Sequence, residues 1–511
     1  MPVSIPVSIM DVIEKTFISH ANKLAVRQKN IDKTYSQVRQ ASHSIASYLI
    51  RGGLNRGDRV ALLIENSFEY ISACYGILSA GGVVVALNTA AKANDLCNWI
   101  EHSGSSWLIG AGKIPELKEV VLKCPADVRC VIQAAAEFDA VRSVTAFDDV
   151  LESAVSTAFP RLEGEDIAAI IYTSGTTGQP KGVTLTHTNL LANMQSILDY
   201  MPMTEDDRCL NVLPFYYSYG NSVLHTHMMK GATLVLENSF MFPQRVLKKL
   251  QDEKITSFSG VPSSYALLLN KTDFSKFDLS SLRYMTQAGG AMLPAHIEKL
   301  RLQLPNVEFI VMYGQTEATA RITYLPYECL DKKTASAGKP VSGVALEIRD
   351  ADNNPLPCGH EGEIYVSGAS VMKAYWNDAQ LTSTVLSDGW LKTGDLATQD
   401  RDGYIYITGR KTEMIKSGAH RISPLDIEEV ILRCPGVAEV AVIGQSDEIS
   451  GQTIKAFVVP LKNEDIKKRD IQFHCKKYLA IYKIPKTIEF LEALPKTSSG
   501  KLKRFALHAI D

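Results

Sequence analysis

The chain has 511 residues, which is more than one ordinary hydrophobic core accommodates, so we expect two or three packed units. Hydrophobic residues make up 45% and charged residues 22%, a balance typical of a soluble globular protein. The formal net charge of −2 excludes a general electrostatic attraction to nucleic acid or to an anionic membrane, and we expect no nucleic-acid partner.

The N-terminal segment and the cysteines indicate the compartment. Residues 1–10 lack the basic start and the long apolar run of a signal peptide, and the apolar stretch 76–87 is too short to span a bilayer. The nine cysteines are scattered without a C-x-x-C pair, which argues against a disulfide framework and a structural zinc site. We therefore predict a cytoplasmic protein without a membrane span.

Apolar, strand-like segments alternate with amphipathic, helical segments through most of the chain. Strands rich in β-branched residues are predicted at 60–64, 82–87, 167–172, 233–236 and 307–312, and helices at 243–253 and 294–302. This alternation predicts a layered α/β architecture with largely parallel sheets.

Near residue 400 the pattern changes to short strands and turns, with a strand predicted at 404–408. A helix is predicted to begin at Ser423–Asp426, which offers a serine N-cap, a proline in the first turn and an acid at position N3. The other elements predicted here are strands at 439–443, 453–459 and 487–491 and a helix at 471–480. We divide the chain into an N-terminal domain of residues 1–410 and a C-terminal domain of residues 411–511.

The most informative motif is Y-T-S-G-T-T-G-Q-P-K-G at residues 172–182, between a predicted strand and a helix predicted near Thr188. Glycines allow backbone amides to turn inward, hydroxyls add donors and Lys181 adds positive charge, so the motif suits a polyphosphate. A flexible surface turn is the alternative, but the ordered string favours a phosphate site. The motif is neither a Walker A loop nor G-x-S-x-G. Its candidate ATP-binding residues are Thr173, Ser174, Gly175, Thr176, Thr177 and Gly178.

By this motif, and by others that follow in the expected order over nearly the whole chain, the sequence resembles the adenylate-forming (AMP-binding) superfamily. This superfamily includes acyl-CoA synthetases, peptide-synthetase adenylation domains and luciferases, and the chain is most similar to stand-alone bacterial acyl-CoA and acyl-carrier ligases. The resemblance implies a large N-terminal domain of layered αβ subdomains. It also implies a small, mobile α+β C-terminal domain that rotates between two half-reactions.

A second motif, Y-G-Q-T-E, ends an apolar strand. The resemblance implies that Tyr313 stacks on adenine beside Gly314, that Thr316 contacts the α-phosphate and that Glu317 helps to hold Mg²⁺. A carboxylate at a strand end suits a hard cation that neutralises phosphate charge. The alternative for Glu317 is a surface acid that caps a helix.

Two further residues complete the implied nucleotide site. Asp395, in T-G-D, would receive the ribose hydroxyls, since one carboxylate can accept two hydrogen bonds. Arg410 would contact the ribose or the phosphates. The alternative for Asp395 is an acid in a turn before a hairpin.

Lys501 lies in the basic segment 495–504. The resemblance implies that it enters the active site and bridges the substrate carboxylate and the α-phosphate, two anions that need a cation between them. We count it as catalytic together with Lys181, Thr316 and Glu317; an exposed basic tail is the alternative.

The second half-reaction is assigned less completely. Lys416 and Gly418 match a segment that lines the tunnel for the thiol acceptor, and Thr412 stands at the hinge position. Ala419 occurs where the family often has a second glycine, and the hinge residue is commonly Asp or Lys. Both departures leave the details of acyl transfer open.

The acyl pocket is expected around L-P-F-Y-Y-S-Y-G at residues 213–220. Tyr217 replaces a gating histidine, and Tyr219 follows on the same wall. No acid occurs between Asn211 and Met229, which argues against an α-amino acid substrate because a buried ammonium would lack a partner. The opposite wall and the nearby nucleotide site are expected at Gly289, Gly290, Ala291 and residues 258–261.

These residues predict an AMP-forming acid–thiol ligase. It would convert a carboxylic acid, fatty or otherwise non-amino, to acyl-AMP with ATP and Mg²⁺, and then transfer the acyl group to CoA or to the phosphopantetheine of an acyl carrier protein. Three alternatives stay open: an amide-bond ligase of the coronafacate-ligase kind, a luciferase-like oxidase and a catalytically silent nucleotide-binding regulator. The joint presence of Glu317, Asp395 and Lys501 argues against the regulator.

Overall fold

The computed structural model describes residues 7–111, 114–133, 138, 144–155, 158–174, 180–417, 420–447, 451–462, 464, 466–497 and 500–510. No helix among these residues is long and apolar enough to cross a membrane. The α-helices are α1 (Ile9–Ser19), α2 (Tyr35–Arg51), α3 (Phe68–Ser79), α4 (Ala93–Ser103), α5 (Leu117–Lys123), α6 (Phe147–Glu152), α7 (His187–Tyr200), α8 (Ser218–Lys230), α9 (Pro243–Asp252), α10 (Pro262–Lys271), α11 (Pro294–Gln303), α12 (Ala379–Val385), α13 (Pro424–Leu432), α14 (Lys468–Tyr478) and α15 (Arg504–Leu507).

The strands are β1 (Leu24–Gln28), β2 (Ile31–Thr34), β3 (Arg59–Leu63), β4 (Val83–Ala86), β5 (Ser105–Ala111), β6 (Arg129–Gln133), β7 (Thr145–Ala146), β8 (Ile167–Ser174), β9 (Pro180–Thr186), β10 (Arg208–Asn211), β11 (Thr233–Leu236), β12 (Ser257–Gly260), β13 (Tyr284–Gln287), β14 (Glu308–Tyr313), β15 (Thr323–Leu325), β16 (Lys339–Pro340), β17 (Val344–Arg349), β18 (Gly362–Gly368), β19 (Ala374–Tyr375), β20 (Leu386–Ser387), β21 (Trp390–Gln399), β22 (Ile405–Arg410), β23 (Ile415–Ser417), β24 (His420–Ile422), β25 (Val437–Asp447), β26 (Gly451–Pro460) and β27 (Thr487–Phe490).

Two large, mainly parallel sheets form the body of the molecule. The first has the order β16-β15-β14-β13-β12-β10-β11-β1-β2, and the second β19-β9-β8-β4-β3-β5-β6-β7. Their central strands are parallel, and the strands at the edges run antiparallel except for β7, which is parallel to β6. Strands such as β4 and β11 are buried along their whole length, as expected for parallel strands covered by helices on both faces. The layered α/β architecture predicted from the sequence is confirmed.

Two smaller sheets follow along the chain. The third contains β17-β18-β21-β20 with β22 beside β21, and it is antiparallel throughout. The fourth contains β24-β23-β26-β25 with β27 beside β26. The third sheet ends at Arg410 and the fourth begins at Ile415. Our division at residues 410 and 411 falls between these two sheets and stays a prediction at that precision.

The C-terminal sheet carries α13 and α14 on a small core of its own. Ser423 caps α13 by accepting a hydrogen bond from the Leu425 amide, with Pro424 in the first turn, as predicted. Ile427, Val442 and Ile471 are among the buried residues of this core, and Ala295 of α11 belongs to the same cluster. The C-terminal domain therefore packs directly on the N-terminal body.

Candidate active site

The candidate site lies where parallel strands of the first sheet end. Strands β12, β13 and β14 end side by side, and each continues into a segment that the sequence singled out. Ligands of open α/β sheets bind beyond the carboxyl ends of the strands, because the loops that follow meet there. Val261, Gly289 and Gly314 accordingly belong to one edge of the sheet.

Tyr313 and Arg410 both contact the carboxylate of Asp395. The Tyr313 hydroxyl donates to Oδ2 at 2.7 Å and the Arg410 Nε donates to Oδ1 at 2.8 Å. Only 8% of Asp395 is exposed. Burial, and then the negative charge of Asp395, raise the pKa of Tyr313 well above its usual value, and the same carboxylate raises the pKa of Arg410. A carboxylate has about four lone-pair sites, so Asp395 keeps acceptor capacity for ribose hydroxyls.

Glu317 lies beside Tyr375, which the sequence analysis did not select. The Tyr375 hydroxyl donates to Glu317 Oε1 at 2.8 Å, and the Lys181 ammonium lies 5.4 Å from the centre of the Tyr375 ring. Burial, followed by the charge of Glu317, raises the pKa of Tyr375. The fold thus brings the lysine of the first motif and the carboxylate of the second to one shared aromatic residue, Tyr375.

The loop after β14 is held in a strained shape. Thr316 begins a short 3-10 helix, and its Oγ1 donates to Ser218 Oγ at 3.1 Å. Thr319 follows with a φ of +66°, which is unfavourable for a β-branched residue. Its Oγ1 donates to the Ser370 carbonyl at 2.7 Å, and this bond anchors the turn. The loop therefore presents Thr316 and Glu317 in a fixed arrangement.

Lys501 enters the same cleft from the C-terminal domain. The Ser263 hydroxyl donates to the Gly500 carbonyl at 2.8 Å and holds the turn in place. A Cβ atom at Gly289, where φ is +85°, would lie 3.3 Å from Lys501 Cε, so a glycine leaves room for the lysine. Part of the surface of Lys501 is accessible to solvent, while its ammonium is surrounded by protein atoms.

The electrostatics of Lys501 reflect these surroundings. Enclosure by protein lowers the pKa of its ammonium, and the positive charge of Arg410 lowers it further. The carboxylates of Glu317 and Asp395 oppose this shift. The lysine therefore lies within electrostatic reach of both predicted nucleotide-binding carboxylates, which are more than a hundred residues away in the sequence.

The predicted acyl-pocket residues lie on two segments that face this edge. Tyr217 immediately precedes α8 and is half-buried, whereas the ring of Tyr219 is buried and its hydroxyl donates to the Thr286 carbonyl at 3.0 Å. On the other segment, Gly290 and Ala291 are exposed.

The remaining predicted residues either lie outside the described part of the chain or take no part in the contacts given above. Gly175, Thr176, Thr177, Gly178 and Gly418 lie outside the described residues, and of Ser174 only the backbone is described. Thr173 pairs with Lys181 across the β8–β9 hairpin. Thr412 lies exposed in the turn between β22 and β23, and Lys416 is exposed on β23. Their roles in hinge motion and acyl transfer stay predictions.

Comparison with known families and proteins agrees with this geometry. The profile of the family described as "AMP-binding enzyme" matches residues 13–376, and that of "AMP-binding enzyme C-terminal domain" matches residues 426–501. The first match alone covers more than half of the chain, and both lie in the order that the sequence motifs indicated.

Similar proteins cover almost the entire chain. A long-chain-fatty-acid–CoA ligase of Yersinia pestis is 33% identical over 530 residues, with 97% of this chain and 93% of the relative covered. A feruloyl-CoA synthase of an Amycolatopsis species is 35% identical over 480 residues, with 94% of each covered. The crystal structure of an anthranilate CoA ligase in complex with anthranoyl-AMP has a TM-score of 0.90 at 27% identity, with 99% of this chain and 98% of that chain covered. The chain therefore belongs to the AMP-binding enzyme family and is an AMP-forming acid–thiol ligase of the acyl-CoA synthetase type.

Proposed function

We propose that the protein activates a carboxylic acid that lacks an α-amino group, using Lys501 to join the acid to the α-phosphate of ATP. The observation that carries this proposal is the position of Lys501 beside Gly289, within electrostatic reach of Glu317 and Asp395. A side chain from the last part of the sequence thus reaches a cleft built by the N-terminal domain.

Adenylation joins two anions, so it needs positive charge where they meet. Lys501 supplies an ammonium at the cleft, and burial together with the charge of Arg410 lowers its pKa. Bound carboxylate and phosphate would raise the pKa again and be attracted by the ammonium as charge develops. Tyr313, Asp395 and Arg410 form one hydrogen-bonded set that would hold adenosine on the opposite side.

Glu317 is the residue that we propose for Mg²⁺. One of its oxygens accepts a hydrogen bond from Tyr375, and no lysine or arginine in the described part of the chain forms an ion pair with it. The carboxylate therefore keeps lone pairs for a hard cation, which prefers oxygen ligands. A bound Mg²⁺ would supply neutralisation of the polyphosphate charge.

For the second half-reaction we propose a thiol acceptor, either CoA or the phosphopantetheine of a carrier protein. The support is membership in a family whose members named above are CoA ligases and a CoA synthase. Lys416 and the hinge at Thr412 are our candidates for this step.

An acid-dependent ATP–pyrophosphate exchange assay tests adenylation. The panel comprises short, medium and long fatty acids, aryl acids, dicarboxylic acids and amino acids, first with the native enzyme and then with Lys501→Ala. We expect exchange with one class of non-amino acid. Loss of the Lys501 ammonium should reduce it about 10²- to 10³-fold, the usual effect of removing one preorganised charge-stabilising group.

The matched control is Lys503→Ala, which removes a lysine from the same segment that we do not place in the site. In addition, Lys501→Ala should still form the thioester from a supplied acyl-adenylate, and CoA, holo-carrier protein and an amine are compared there as acceptors. Equal exchange by Lys501→Ala and the native enzyme would contradict the proposed role.

A further inference from the structure

Arg321 is a buried cation that the adenylation chemistry above does not use. It lies four residues after Glu317, on the segment that returns from the β14 loop toward β15, and only 3% of it is exposed. Its guanidinium carbon lies 4.2 Å from the centre of the Tyr219 ring. An arginine this deeply buried is normally paired with an acid.

The contacts of Arg321 leave its charge uncompensated. Its Nε donates to the Met312 sulfur at 3.2 Å, and its Nη1 donates to the neighbouring Ala320 carbonyl at 3.3 Å. Among the residues that the structure describes, no carboxylate forms an ion pair with it. A thioether is a weak acceptor, and an aromatic face offers only partial negative charge. The Tyr200 hydroxyl is a further hydrogen-bond partner, so the guanidinium has neutral partners within the protein but no counter-charge among the described residues.

The backbone of Arg321 is fixed on both sides. The Asn193 side chain of α7 donates through Nδ2 to the Arg321 carbonyl at 2.9 Å and accepts from the Arg321 amide at 3.2 Å. The hydroxyl of Tyr200, also on α7, contacts the same Met312 sulfur at 3.0 Å. These bonds fix the backbone from which the Arg321 side chain extends.

The position of Arg321 relates it to the predicted acyl pocket. Its stacking partner Tyr219 follows Ser218, which contacts Thr316 at the reaction centre. The Tyr219 hydroxyl bonds to Thr286 on β13, the strand that leads to Gly289. Arg321 therefore packs directly against one residue of the predicted acyl pocket, Tyr219, which in turn is bonded to the strand that leads to Gly289.

We propose that Arg321 binds an anionic group at the far end of the acid substrate, so that the preferred substrate is a dicarboxylic acid. A guanidinium pairs with a carboxylate through two parallel hydrogen bonds, which would satisfy the donors that the protein leaves free. A plain fatty acid would place a methyl group against the buried charge and leave its desolvation uncompensated. The proposal rests on the proposed function for the placement of the first carboxylate at Lys501.

The test uses matched acids that differ only in the second carboxylate: octanoic against octanedioic acid, and phenylpropanoic acid against its para-carboxylated counterpart. Dissociation constants are measured by calorimetry in the presence of AMP, and kcat/KM by pyrophosphate exchange. The enzymes are native, Arg321→Met, Arg321→Lys and Arg301→Met. Arg301 pairs with Asp331 away from the proposed site and serves as the matched control.

We expect the native enzyme and Arg301→Met to bind at least one diacid about tenfold or more tightly than its monoacid, as befits a charge-assisted pair. Arg321→Met should lose this preference for the diacid while binding the monoacid at least as tightly as the native enzyme does. Arg321→Lys should retain part of the preference. Equal binding of both acids by the native enzyme, or an unchanged ratio in Arg321→Met, would overturn the proposal.

Two controls keep the outcomes separate. Melting curves establish that each variant is folded. If Arg321→Met does not fold, the ratio of the monoacid to the diacid dissociation constant is measured in Arg321→Lys. An undiminished ratio in that variant overturns the proposal, and a reduced ratio supports it. Diacid binding that depends on Arg321, without exchange for any acid, would support the anion-binding role of Arg321 and contradict the proposed adenylation instead.

Discussion

At the scale of single residues, Asp395 connects the side chains on the predicted nucleotide side of the cleft. Tyr313 and Arg410 each bind one of its oxygens, although the three residues come from three separate motifs. Each motif predicted a nucleotide role, but none revealed that the side chains contact one another. Because Arg410 compensates the charge of Asp395 within the protein, the carboxylate is oriented in advance as an acceptor.

Buried histidines make the protein sensitive to acid. Burial, and then the nearby His187, lower the pKa of His225 to about 3, and its ring contacts the Tyr75 hydroxyl at 3.1 Å. The unfolded chain takes up this proton near pH 6.5, whereas the folded chain stays neutral until about pH 3. Lowering the pH through this window therefore favours unfolding, by about 2 kcal/mol for His225 at pH 5.

We predict that His225→Gln lowers the melting temperature at pH 7, because the ring contact with Tyr75 is lost. Between pH 7 and pH 5, however, the stability of this variant should decrease less than that of the native protein. Differential scanning calorimetry at the two pH values measures this difference. His360→Gln, at an exposed histidine, should follow the native protein. An equal drop in His225→Gln and the native protein would show that His225 is not part of the acid sensitivity.

The loop after β14 shows how tightly one element determines the site. A Cβ atom on Gly314 would lie 2.0 Å from the Ala320 carbonyl oxygen, so even alanine must displace the returning segment. That segment carries Thr316, Glu317 and Arg321. The close approach of two backbones at this glycine therefore sets the spacing of the residues that we propose for the phosphate, the metal and the acid substrate.

We predict that Gly314→Ala reduces pyrophosphate exchange by about 10²-fold or more, since displacements of about 1 Å in a catalytic group have effects of this size. Gly343→Ala is the control: its Cβ would meet no atom within 4 Å, and its φ of +77° introduces backbone strain alone. That variant should lose about 1 kcal/mol of stability and keep full exchange. Similar activity in the two variants would exclude steric displacement at Gly314.

The sequence predicted most elements but not all of their connections. Strand β11 and helix α9 begin where predicted, and each ends within a residue of its predicted end. Strand β9 was missed: the sequence suggested a loop leading directly to a helix near Thr188, whereas residues Pro180–Thr186 form a strand and α7 begins at His187. Its P-K-G start is typical of a loop, and the strand exists because it pairs with β8.

The same limit applies to the site. Lys501, Glu317 and Asp395 carry motif signals because their chemistry recurs with a fixed local pattern. Tyr375 and Arg321 carry none: their importance lies in what they contact, or fail to contact, across the fold. A missing counter-charge is a property of three-dimensional packing, and no local spacing of residues encodes it.

At the scale of the whole molecule, polar contacts among the described residues join the two domains. Besides the bond between Ser263 and Gly500, the Asn270 side chain donates to the Ala438 carbonyl at 3.3 Å. Lys411, at the domain boundary, pairs with Glu363 at 3.1 Å. Arg433 forms an ion pair with Glu298 at 3.4 Å, and both side chains are about half exposed. Exposed pairs of this kind contribute about 1 kcal/mol or less. These contacts are compatible with the domain rotation that we expect from the sequence.

We predict that cysteines at positions 270 and 438, oxidised to a disulfide, leave pyrophosphate exchange intact and block thioester formation, because the second half-reaction requires rotation. The two activities are assayed before and after reduction, which should restore the second. Asn270→Cys and Ala438→Cys alone serve as controls for the substitutions themselves. Thioester formation by the fully oxidised double variant would show that this arrangement of the domains serves both steps.

The late position of Lys501 in the chain has a consequence for synthesis on the ribosome. Every other residue proposed for the cleft precedes it, and domains generally fold in the order in which they emerge. A nascent chain that stalls before this codon would hold a folded nucleotide cleft that cannot consume ATP. With the role that we propose for Lys501, catalysis requires that translation has passed through both domains, and prematurely terminated products are expected to be inactive.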